Sequence, residues 1–465
     1  MPETTPLWTS AEIETATGGT LSGAPFEVAG ITYNSREIVA GDLFLALKGA
    51  RDGHDFAAAA FAAGAAGAIT EHLVEGPSVV VADTLRALED LGVASRERSP
   101  HVRRGAVTGS VGKTSVTQAI KAGLDLAGPA HASIKSYNNH IGVPLTLARM
   151  PRSTARAVFE IGMNAPGEIA PLARMVRPHA ACITTVGPVH IEAFAEGEAG
   201  VAAEKAAIFE GLAPDGVAVL NGDVSFAAVL DAAARKAGAR RATFGVDGRH
   251  DARLIDFEPG PEGARVKAEL FGKPLDFALR QSGFHWGLNS LCVLLMLDAL
   301  DVPLDTALAA LADFQPLAGR GQTTVVKAPG GAFTLIDESY NANPLSMAAG
   351  FRSLGAKPVS PGARRVVVLT DMLELGDQSR ALHEGLAGPI AAAGLDLVHT
   401  AGPEMKRLHD VLPPERRGLW REAAADLAAE AAALVAPGDI VMVKGSNGSK
   451  ASLVAGALAA LGGAA

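Results

Sequence analysis

The chain has 465 residues, which is too long for one hydrophobic core, so we expect two to four domains. Its formal net charge of −9 excludes a dedicated nucleic-acid binder, which would carry a basic surface. The two cysteines, Cys182 and Cys292, each lie in an apolar run. This usage excludes a disulfide scaffold and favours a reducing compartment.

The N-terminal sequence has neither the basic segment nor the apolar segment of a signal peptide. No apolar run reaches the roughly 18 residues that a membrane span needs. We therefore expect a cytoplasmic protein with no membrane span.

The first hundred residues alternate short strand-like runs with alanine-rich helical runs. The predicted strands are residues 31–33, 43–47 and 78–82, and the predicted helix is residues 55–67. This pattern predicts a small α/β domain over residues 1–100. A basic stretch from Arg96 to Arg104 predicts the boundary that follows it.

From Gly105 the pattern becomes strand, loop and helix, repeated. The predicted strands are residues 105–108, 156–161, 181–186 and 217–220. Such alternation predicts a parallel α/β sheet with helices on both faces, here over residues 101–315.

A second boundary is predicted near Pro316, after which strands and helices alternate again. The predicted strands are residues 333–337, 365–369, 396–400 and 439–443. The alanine-rich runs 422–435 and 451–461 have amphipathic helical spacing. Residues 316–465 are therefore predicted to form a smaller, doubly wound, Rossmann-like domain.

A glycine-rich loop lies between the predicted strand 105–108 and a predicted helix that begins at Lys113. Its candidate phosphate-binding residues are Gly109, Ser110, Val111, Gly112, Lys113, Thr114 and Ser115. Glycines allow several backbone N–H groups to converge on phosphate oxygens. Lys113 would reach the terminal phosphates and the Thr114 hydroxyl would bind magnesium. The alternative is an ordinary glycine-rich turn.

Glu160 stands at the carboxyl end of the next predicted strand. Because ligands of open α/β sheets bind at that edge, the carboxylate is expected beside the loop. Two further polar residues, His190 and Lys205, follow in chain order. By residue type alone, a histidine such as His190 is more often structural than a metal ligand, and Lys205 is expected to be a solvated surface lysine.

The segment Thr108-Gly-Ser-Val-Gly-Lys-Thr-Ser115 is shorter than the general phosphate loop, because position 107 is Val. It resembles the ATP-binding loop of the Mur ligases and their folylpolyglutamate synthetase relatives. Further matching segments follow in the same order and cover nearly the whole chain. The resemblance implies a three-domain, ATP-dependent ligase that forms amide bonds in peptidoglycan precursor synthesis.

The same resemblance implies a metal site. Its candidate ligands, for two magnesium ions, are Thr114, Glu160, His190 and Lys205. In several members of the family the matching lysine is carbamylated by carbon dioxide, which turns an ammonium into an anionic ligand. Desolvation that lowers a lysine pKa makes this chemistry feasible at neutral pH. With Lys113, the residues Glu160, His190 and Lys205 form the predicted catalytic set.

The nucleotide-binding residues implied by the resemblance come from three places in the chain. In Gly283-Phe-His-Trp-Gly-Leu-Asn289, His285 and Asn289 match the family and Asn289 would contact adenine, whereas Trp286 stands where Asn is usual. Arg320 would touch the ATP phosphates. Asp337 would lie near the ribose.

Three segments resemble the branch of the family that adds D-alanyl-D-alanine: Asp337-Glu-Ser-Tyr-Asn-Ala-Asn-Pro344, Thr370-Asp-Met-Leu-Glu-Leu-Gly376 and Lys444-Gly-Ser-Asn-Gly448. This branch implies UDP-N-acetylmuramoyl-tripeptide and D-alanyl-D-alanine as substrates. We expect a monomer. The candidate substrate-binding residues are Ser35, Arg36, Lys48, Arg51, Asn138, Asn139, Tyr340, Asn341, Asn343, Lys444 and Ser446.

Alternative functions come from inside and outside the family. A sister ligase that adds diaminopimelate or lysine would carry a Tyr-Ala-His-x-Pro form and an Asp-Asn-Pro-Arg motif, neither of which is present. A folylpolyglutamate synthetase is disfavoured by the Tyr340-Asn-Ala-Asn-Pro344 segment. A nucleotide-dependent switch would need a guanine-reading Asn-Lys-x-Asp motif, which is also absent. A transport ATPase is the remaining alternative.

Overall fold

The computed structural model describes residues 5–134, 136–260 and 263–463. Within these ranges the strands form a two-stranded ribbon and three sheets of five, nine and six strands. The three sheets follow one another along the chain, which confirms the predicted three-domain α/β fold. None of the described helices has both the length and the apolar character required to cross a membrane.

The N-terminal domain is a small sheet with three helices. Its elements are β1 (Trp8–Thr9), α1 (Ser10–Thr17), β2 (Thr20–Ser22), β3 (Glu27–Val28), β4 (Gly30–Thr32), β5 (Asp42–Leu45), α2 (Ala57–Ala62), β6 (Gly67–Thr70), β7 (Ser78–Val80) and α3 (Thr84–Glu97). The sheet order is β2-β7-β6-β5-β4, with β2 antiparallel to β7 and the other pairs parallel.

The helix predicted over residues 55–67 is shorter than expected. A 3-10 turn spans Gly53–Phe56, and α2 ends before Gly64, whose φ of 103° is a left-handed conformation that a helix cannot continue through. Residue 67 already belongs to β6. The alanine-rich composition did not indicate that the helix ends before Gly64.

The central domain carries the nine-stranded sheet. Its elements are β8 (Arg103–Thr108), α4 (Lys113–Leu126), β9 (Ala130–Ala132), α5 (Gly142–Ala148), β10 (Arg156–Glu160), α6 (Ile169–Val176), β11 (Ala180–Ile183), α7 (Glu198–Ala206), β12 (Val217–Asn221), α8 (Ala227–Lys236), β13 (Arg240–Gly245), β14 (Ala252–Gly260), β15 (Gly263–Leu270), β16 (Lys273–Leu279), α9 (His285–Ala299) and α10 (Leu304–Asp313).

The central sheet has the order β16-β15-β14-β13-β12-β11-β8-β10-β9. Strands β8 to β14 are parallel, as expected, but β15 and β16 add an antiparallel meander that the sequence reading missed. The turn between them is Phe271-Gly272, with φ of 49° and 77°. Positive φ at both residues suits the twist of a hairpin, but a phenylalanine at the first position is not the usual Asn-Gly signal.

The C-terminal domain is doubly wound. Its elements are β17 (Gln322–Ala328), β18 (Gly331–Glu338), α11 (Pro344–Gly355), β19 (Arg365–Thr370), α12 (Ser379–Glu384), α13 (Ala387–Ala392), β20 (Leu397–Ala401), α14 (Met405–Val411), β21 (Arg417–Arg421), α15 (Ala424–Ala429), β22 (Ile440–Lys444) and α16 (Ala451–Ala460). The order is β17-β18-β22-β19-β20-β21, and β17 is antiparallel to β18. The run 422–435 forms only α15 and a 3-10 turn at Ala431–Ala433.

The predicted boundary at residue 100 falls between α3 and β8, and the one at 315 falls between α10 and β17. The first two domains nevertheless share a core, because Leu145 and Ala148 of α5 pack with Leu88 and Leu91 of α3. A Cβ on Gly92 of α3 would lie 3.1 Å from the Pro144 carbonyl, so a small residue permits this close approach.

Parallel register places the site residues at one edge of each sheet. Glu160 of β10 pairs with Val107 of β8, and Ile183 of β11 pairs with Thr108. In the C-terminal sheet, Glu338 of β18 pairs with Lys444 of β22. The carboxyl ends of both sheets therefore open onto a shared space, as expected for ligand sites of open α/β sheets.

Candidate active site

A cavity of about 540 Å³ lies between the central and C-terminal domains. Side chains of both domains line it. Those that the sequence reading singled out are Ser110, Val111, Gly112, Lys113, Thr114, Ser115, Asn138, Asn139, Glu160, His190, Asn289, Arg320, Tyr340, Asn341, Asn343, Lys444 and Ser446. The fold thus brings together residues that are more than three hundred positions apart in sequence.

The phosphate loop is held rigidly against the end of β11. Gly109 has a φ of 150°, and a Cβ there would lie 1.9 Å from Thr184 Oγ1, so no other residue fits. The Ser110 hydroxyl donates to the Gly187 carbonyl at 3.0 Å and accepts from the Gly187 N–H at 2.9 Å. Gly112, with a φ of 90°, leads into α4 at Lys113. The helix N-terminus therefore faces the cavity, where it favours an anion.

Lys113 and Thr114 begin α4 at the floor of the cavity. Lys113 Nζ donates to the Gly109 carbonyl at 2.6 Å, and enclosure by the protein lowers the Lys113 pKa, although nearby Glu160 opposes that shift. The Thr114 hydroxyl donates to Glu160 Oε2 at 2.7 Å. A bound phosphate would therefore meet a lysine that is enclosed and has no carboxylate salt bridge of its own among the described residues.

Glu160 is 1% exposed and is fully engaged. Besides Thr114, its carboxylate accepts from Asn138 Nδ2 at 2.7 Å, and its backbone N–H donates to Ser133 Oγ at 3.0 Å. Within the described ranges, no group of three or more His, Cys, Asp or Glu side chains is placed so that it could hold a metal ion by itself. One carboxylate with one hydroxyl fits magnesium, which is usually held by one or two carboxylates plus phosphates and water.

His190 lines the cavity and meets the C-terminal domain. Its Nδ1 is 2.7 Å from Glu374 Oε2, and both residues line the cavity. Burial lowers the His190 pKa, and the charges of Lys113 and Lys205 act in the same direction while Glu374 opposes them. The backbone φ of His190 is 53° and that of Glu374 is 62°, which is uncommon for residues other than glycine.

Lys205, on α7, is 2% exposed but lies outside the residues that line the cavity. Its Nζ has a contact of 3.8 Å with Met163 Sδ and no carboxylate partner among the described residues. Burial holds its pKa well below the usual value, and the charge of Lys113 lowers it further. A neutral amine at this position is the form that reacts with carbon dioxide.

The predicted nucleotide-binding residues divide into two groups. Asn289 lies close to the loop, since a Cβ on Gly112 would be 3.4 Å from Asn289 Nδ2, and Arg320 also lines the cavity. Asp337 does not line it; its carboxylate accepts the backbone N–H groups of Gly319 at 3.1 Å and Ser339 at 3.0 Å. Asp337 therefore shapes the backbone that carries Arg320.

Trp286, which departs from the family pattern, has a structural position. It is 4% exposed and its ring centroid lies 5.7 Å from that of Phe314. An aromatic side chain at this position fills the core between α9 and the end of α10. The neighbouring His285 lines the cavity.

The C-terminal segment Tyr340 to Asn343 is organised by its own contacts. Lys444 Nζ donates to Glu338 Oε2 and to the Asn341 carbonyl, both at 3.1 Å. Asn343 caps α11 by accepting the Ser346 N–H at 2.9 Å. The Ser446 hydroxyl donates to the Ala342 carbonyl at 3.3 Å. These residues form one wall of the cavity.

The predicted uridine-diphosphate residues lie elsewhere, on the N-terminal domain. Ser35, Arg36, Lys48 and Arg51 do not line the cavity between the other two domains. Lys48 forms an ion pair with Glu71, and Arg51 lies 6.0 Å from the Phe56 ring. Asn139, which lines the cavity, accepts the Gly142 N–H at 2.9 Å at the start of α5.

The sequence reading missed several cavity residues, including Ser136, Asn221, Glu374 and Arg352. Asn221 ends β12 and donates to the Thr184 carbonyl at 2.8 Å. Its position at the carboxyl end of a parallel strand was a usable signal. Glu374 lies inside the segment Thr370 to Gly376, but nothing in the sequence shows that it contacts His190.

Three family models match the chain in order. They are the Mur ligase family catalytic domain over residues 27–110, the Mur ligase middle domain over residues 107–297, and the Mur ligase glutamate ligase domain over residues 319–447. Together they cover the three domains described above.

Relatives and solved structures agree with these matches. The chain is 30% identical to the UDP-N-acetylmuramoyl-tripeptide–D-alanyl-D-alanine ligase of Rickettsia prowazekii, over 96% of this chain and 98% of that protein. Its fold is similar to the crystal structure of MurF from Acinetobacter baumannii, with a TM-score of 0.86 and 28% identity over 97% and 98% of the two chains.

A crystal structure of MurF ligase from Thermotoga maritima in complex with ADP has the same fold, with a TM-score of 0.77 and 24% identity over 92% and 97% of the chains. The family models match in the same order as the three domains, and the similarity to the Rickettsia enzyme spans nearly the whole chain. Both findings agree with the phosphate loop, the buried Glu160 carboxylate and the two sheet edges that open onto the cavity. This chain belongs to the Mur ligase family.

Proposed function

We propose that this chain joins D-alanyl-D-alanine to UDP-N-acetylmuramoyl-tripeptide in an ATP-dependent reaction of peptidoglycan precursor synthesis. The similarity to the Rickettsia ligase over nearly the whole of both chains supports this assignment. The observation that carries it is the meeting of Lys113, Thr114 and Glu160 at the floor of a cavity that the C-terminal domain closes. We further propose that the enzyme acts as a cytoplasmic monomer.

Phosphate binding is the role of the loop and of Lys113. The loop N–H groups and the N-terminus of α4 would receive the ATP phosphates, and Lys113 would exchange its contact with the Gly109 carbonyl for phosphate oxygens. A cation at this position reduces the repulsion between ATP and an approaching carboxylate. Arg320, which lines the same cavity, adds a second positive charge.

Thr114 and Glu160 would hold one magnesium ion, and His190 and Lys205 would serve a second. Bound magnesium supplies charge neutralisation to the phosphates. Because Lys205 as an amine offers only a nitrogen, its role requires carbamylation, which its burial and its lowered pKa favour. Labelled bicarbonate gives a test, since a carbamate carbon should appear in the ¹³C spectrum of the wild type and not of Lys205→Ala.

The reaction that this arrangement supports has two steps. The carboxylate of the third peptide residue attacks the γ-phosphorus of ATP, so that the bond to the β-phosphate oxygen breaks and an acyl phosphate and ADP form. The amine of D-alanyl-D-alanine then attacks the acyl carbon, loses a proton and expels phosphate. Positioning dominates, because no protein group becomes covalently attached.

The substrates would approach from different domains. We assign the UDP group to Ser35, Arg36, Lys48 and Arg51 on the N-terminal domain. The peptide would pass Asn138 and Asn139 towards Lys113. Tyr340, Asn341, Asn343, Lys444 and Ser446 would bind D-alanyl-D-alanine and part of ATP, with Asn289 on adenine and Asp337 near the ribose.

Phosphate release measured with each substrate omitted in turn tests the proposal. We expect release that requires ATP, UDP-muramoyl tripeptide and D-alanyl-D-alanine together. Release with ATP alone would instead indicate a transport ATPase or a switch. Mass spectrometry of the products from tripeptides that end in diaminopimelate or lysine then identifies the accepted tripeptide.

A further inference from the structure

Glu374 makes a contact between two domains, and the family resemblance gives it no role. It follows β19 in the C-terminal domain, whereas His190 follows β11 in the central domain. Glu374 Oε2 lies 2.7 Å from His190 Nδ1. The contact is a close charge contact rather than an aligned hydrogen bond, and a carboxylate at this distance favours a ring proton on Nδ1, which would leave the Nε2 lone pair free.

The backbone around this pair is held in place by close packing. Both residues adopt left-handed conformations, which cost free energy and persist where the surroundings enforce them. Nearby, a Cβ on Gly376 would lie 3.0 Å from Glu192 Cβ, so the two loops touch directly. Two residues with uncommon backbone conformations therefore meet across a domain boundary.

We propose that Glu374 is a positioning residue that orients His190 as a metal ligand when the C-terminal domain closes. Metal-binding histidines usually donate their other ring N–H to a carboxylate or a carbonyl, which fixes the ring orientation. Here that carboxylate comes from a different domain. Domain closure over ATP and completion of the metal site are thereby one event, so magnesium binds tightly only in the closed enzyme.

The inference rests on the proposed function, and Mn²⁺ binding in the presence of ADP tests it apart from turnover. We expect Glu374→Ala to weaken Mn²⁺ binding about 10–100-fold and to lower kcat, with KM for the UDP-linked substrate unchanged. Glu374→Gln should recover part of the loss, because its amide oxygen can face His190 Nδ1 in place of the carboxylate. The exposure of the Glu374 side chain, 58%, argues that these variants fold normally.

Glu192→Gln is the matched control. Glu192 is a carboxylate close enough to His190 to raise its pKa, yet it makes no ion pair with the ring among the described contacts. We expect its Mn²⁺ binding to stay within about twofold of the wild type. An equal loss in Glu192→Gln and Glu374→Gln would overturn the proposal, because local negative charge would then explain the effect.

A double variant distinguishes orientation of His190 by Glu374 from a contact that only holds the two domains together. If Glu374 acts through His190, Glu374→Ala adds nothing to the Mn²⁺ defect of His190→Ala, since coupled residues are non-additive. Additive losses would refute the inference. So would a Glu374→Ala enzyme in which fluorescence energy transfer shows lost domain closure while Mn²⁺ affinity is unchanged. If the wild type fails to join the two substrates but its Mn²⁺ binding still depends on Glu374, the proposed function would be rejected and this inference would stand.

Discussion

The Tyr340 hydroxyl, in the C-terminal domain, donates a 2.6 Å hydrogen bond to Ser136 Oγ in the central domain. Ser136 Oγ also lies 3.3 Å from Thr114 Oγ1, and Arg320 stacks 3.9 Å from the centroid of the Tyr340 ring. A contact between domains therefore ends directly at the phosphate loop. Ser136 connects domain closure to the residue proposed to hold magnesium.

Tyr340→Phe tests this connection by removing one hydroxyl. A hydrogen bond contributes about 1 kcal/mol net, so we expect kcat/KM for ATP to fall about fivefold in steady-state phosphate-release assays. Tyr33→Phe, which changes a tyrosine of the N-terminal domain, should leave kcat/KM for ATP unchanged. An unaltered Tyr340→Phe enzyme would show that the hydrogen bond plays no part in the closed complex.

Lys113→Ala and Glu160→Ala should each lose most activity and still fold. Loss of one preorganised charge at a phosphate being transferred is expected to lower kcat by about 100–1000-fold. Lys121→Ala is the control, because Lys121 lies on the same helix but pairs with Asp125 at 2.7 Å at an exposed position. Circular dichroism verifies folding, and turnover close to wild type in either site variant would remove the assignment.

Lys205→Met should stabilise the protein while abolishing activity. The buried amine has a pKa below its value of 10.5 in the unfolded chain, so the unfolded state binds more protons and stability rises with pH towards 10.5. A neutral methionine removes that penalty at pH 7. Scanning fluorimetry in bicarbonate-free buffer should show a higher Tm for the variant, and the difference should shrink as the pH rises.

Lys121→Met controls for the loss of a lysine in general, and its Tm should match the wild type. A lower Tm for Lys205→Met would mean that the amine has a stabilising partner in the folded protein.

His399 predicts acid sensitivity of the C-terminal domain. It is 2% exposed, its Nδ1 accepts the Leu419 N–H at 2.9 Å, and burial lowers its pKa from 6.5 to about 4. The unfolded chain binds the extra proton first, so stability falls by about 1.4 kcal/mol per pH unit from pH 6.5 towards pH 4. His399→Asn keeps an acceptor but does not titrate, so its Tm should depend less steeply on pH. Parallel slopes for the two proteins would contradict this.

The local motifs could be predicted from the sequence because each one depends on residues that are close together in the chain. The loop from Gly109 to Ser115 has its conformation set by two glycines and a helix start, and the structure shows it between β8 and α4 as expected. The parallel strands β8, β10 and β11 were readable from buried apolar runs. The meander of β15 and β16 was not, because its Phe271-Gly272 turn lacks the usual composition.

The sequence by itself determined the fold class, the family resemblance and the residue types of the site, since each depends on periodicity or on short ordered motifs. The tertiary structure alone decided that Ser136 meets Tyr340 and that His190 meets Glu374. It also decided that Asp337 supports a turn while Trp286 fills a core. These outcomes depend on how separate domains pack, and packing joins residues whose distance along the chain carries no information about their distance in space.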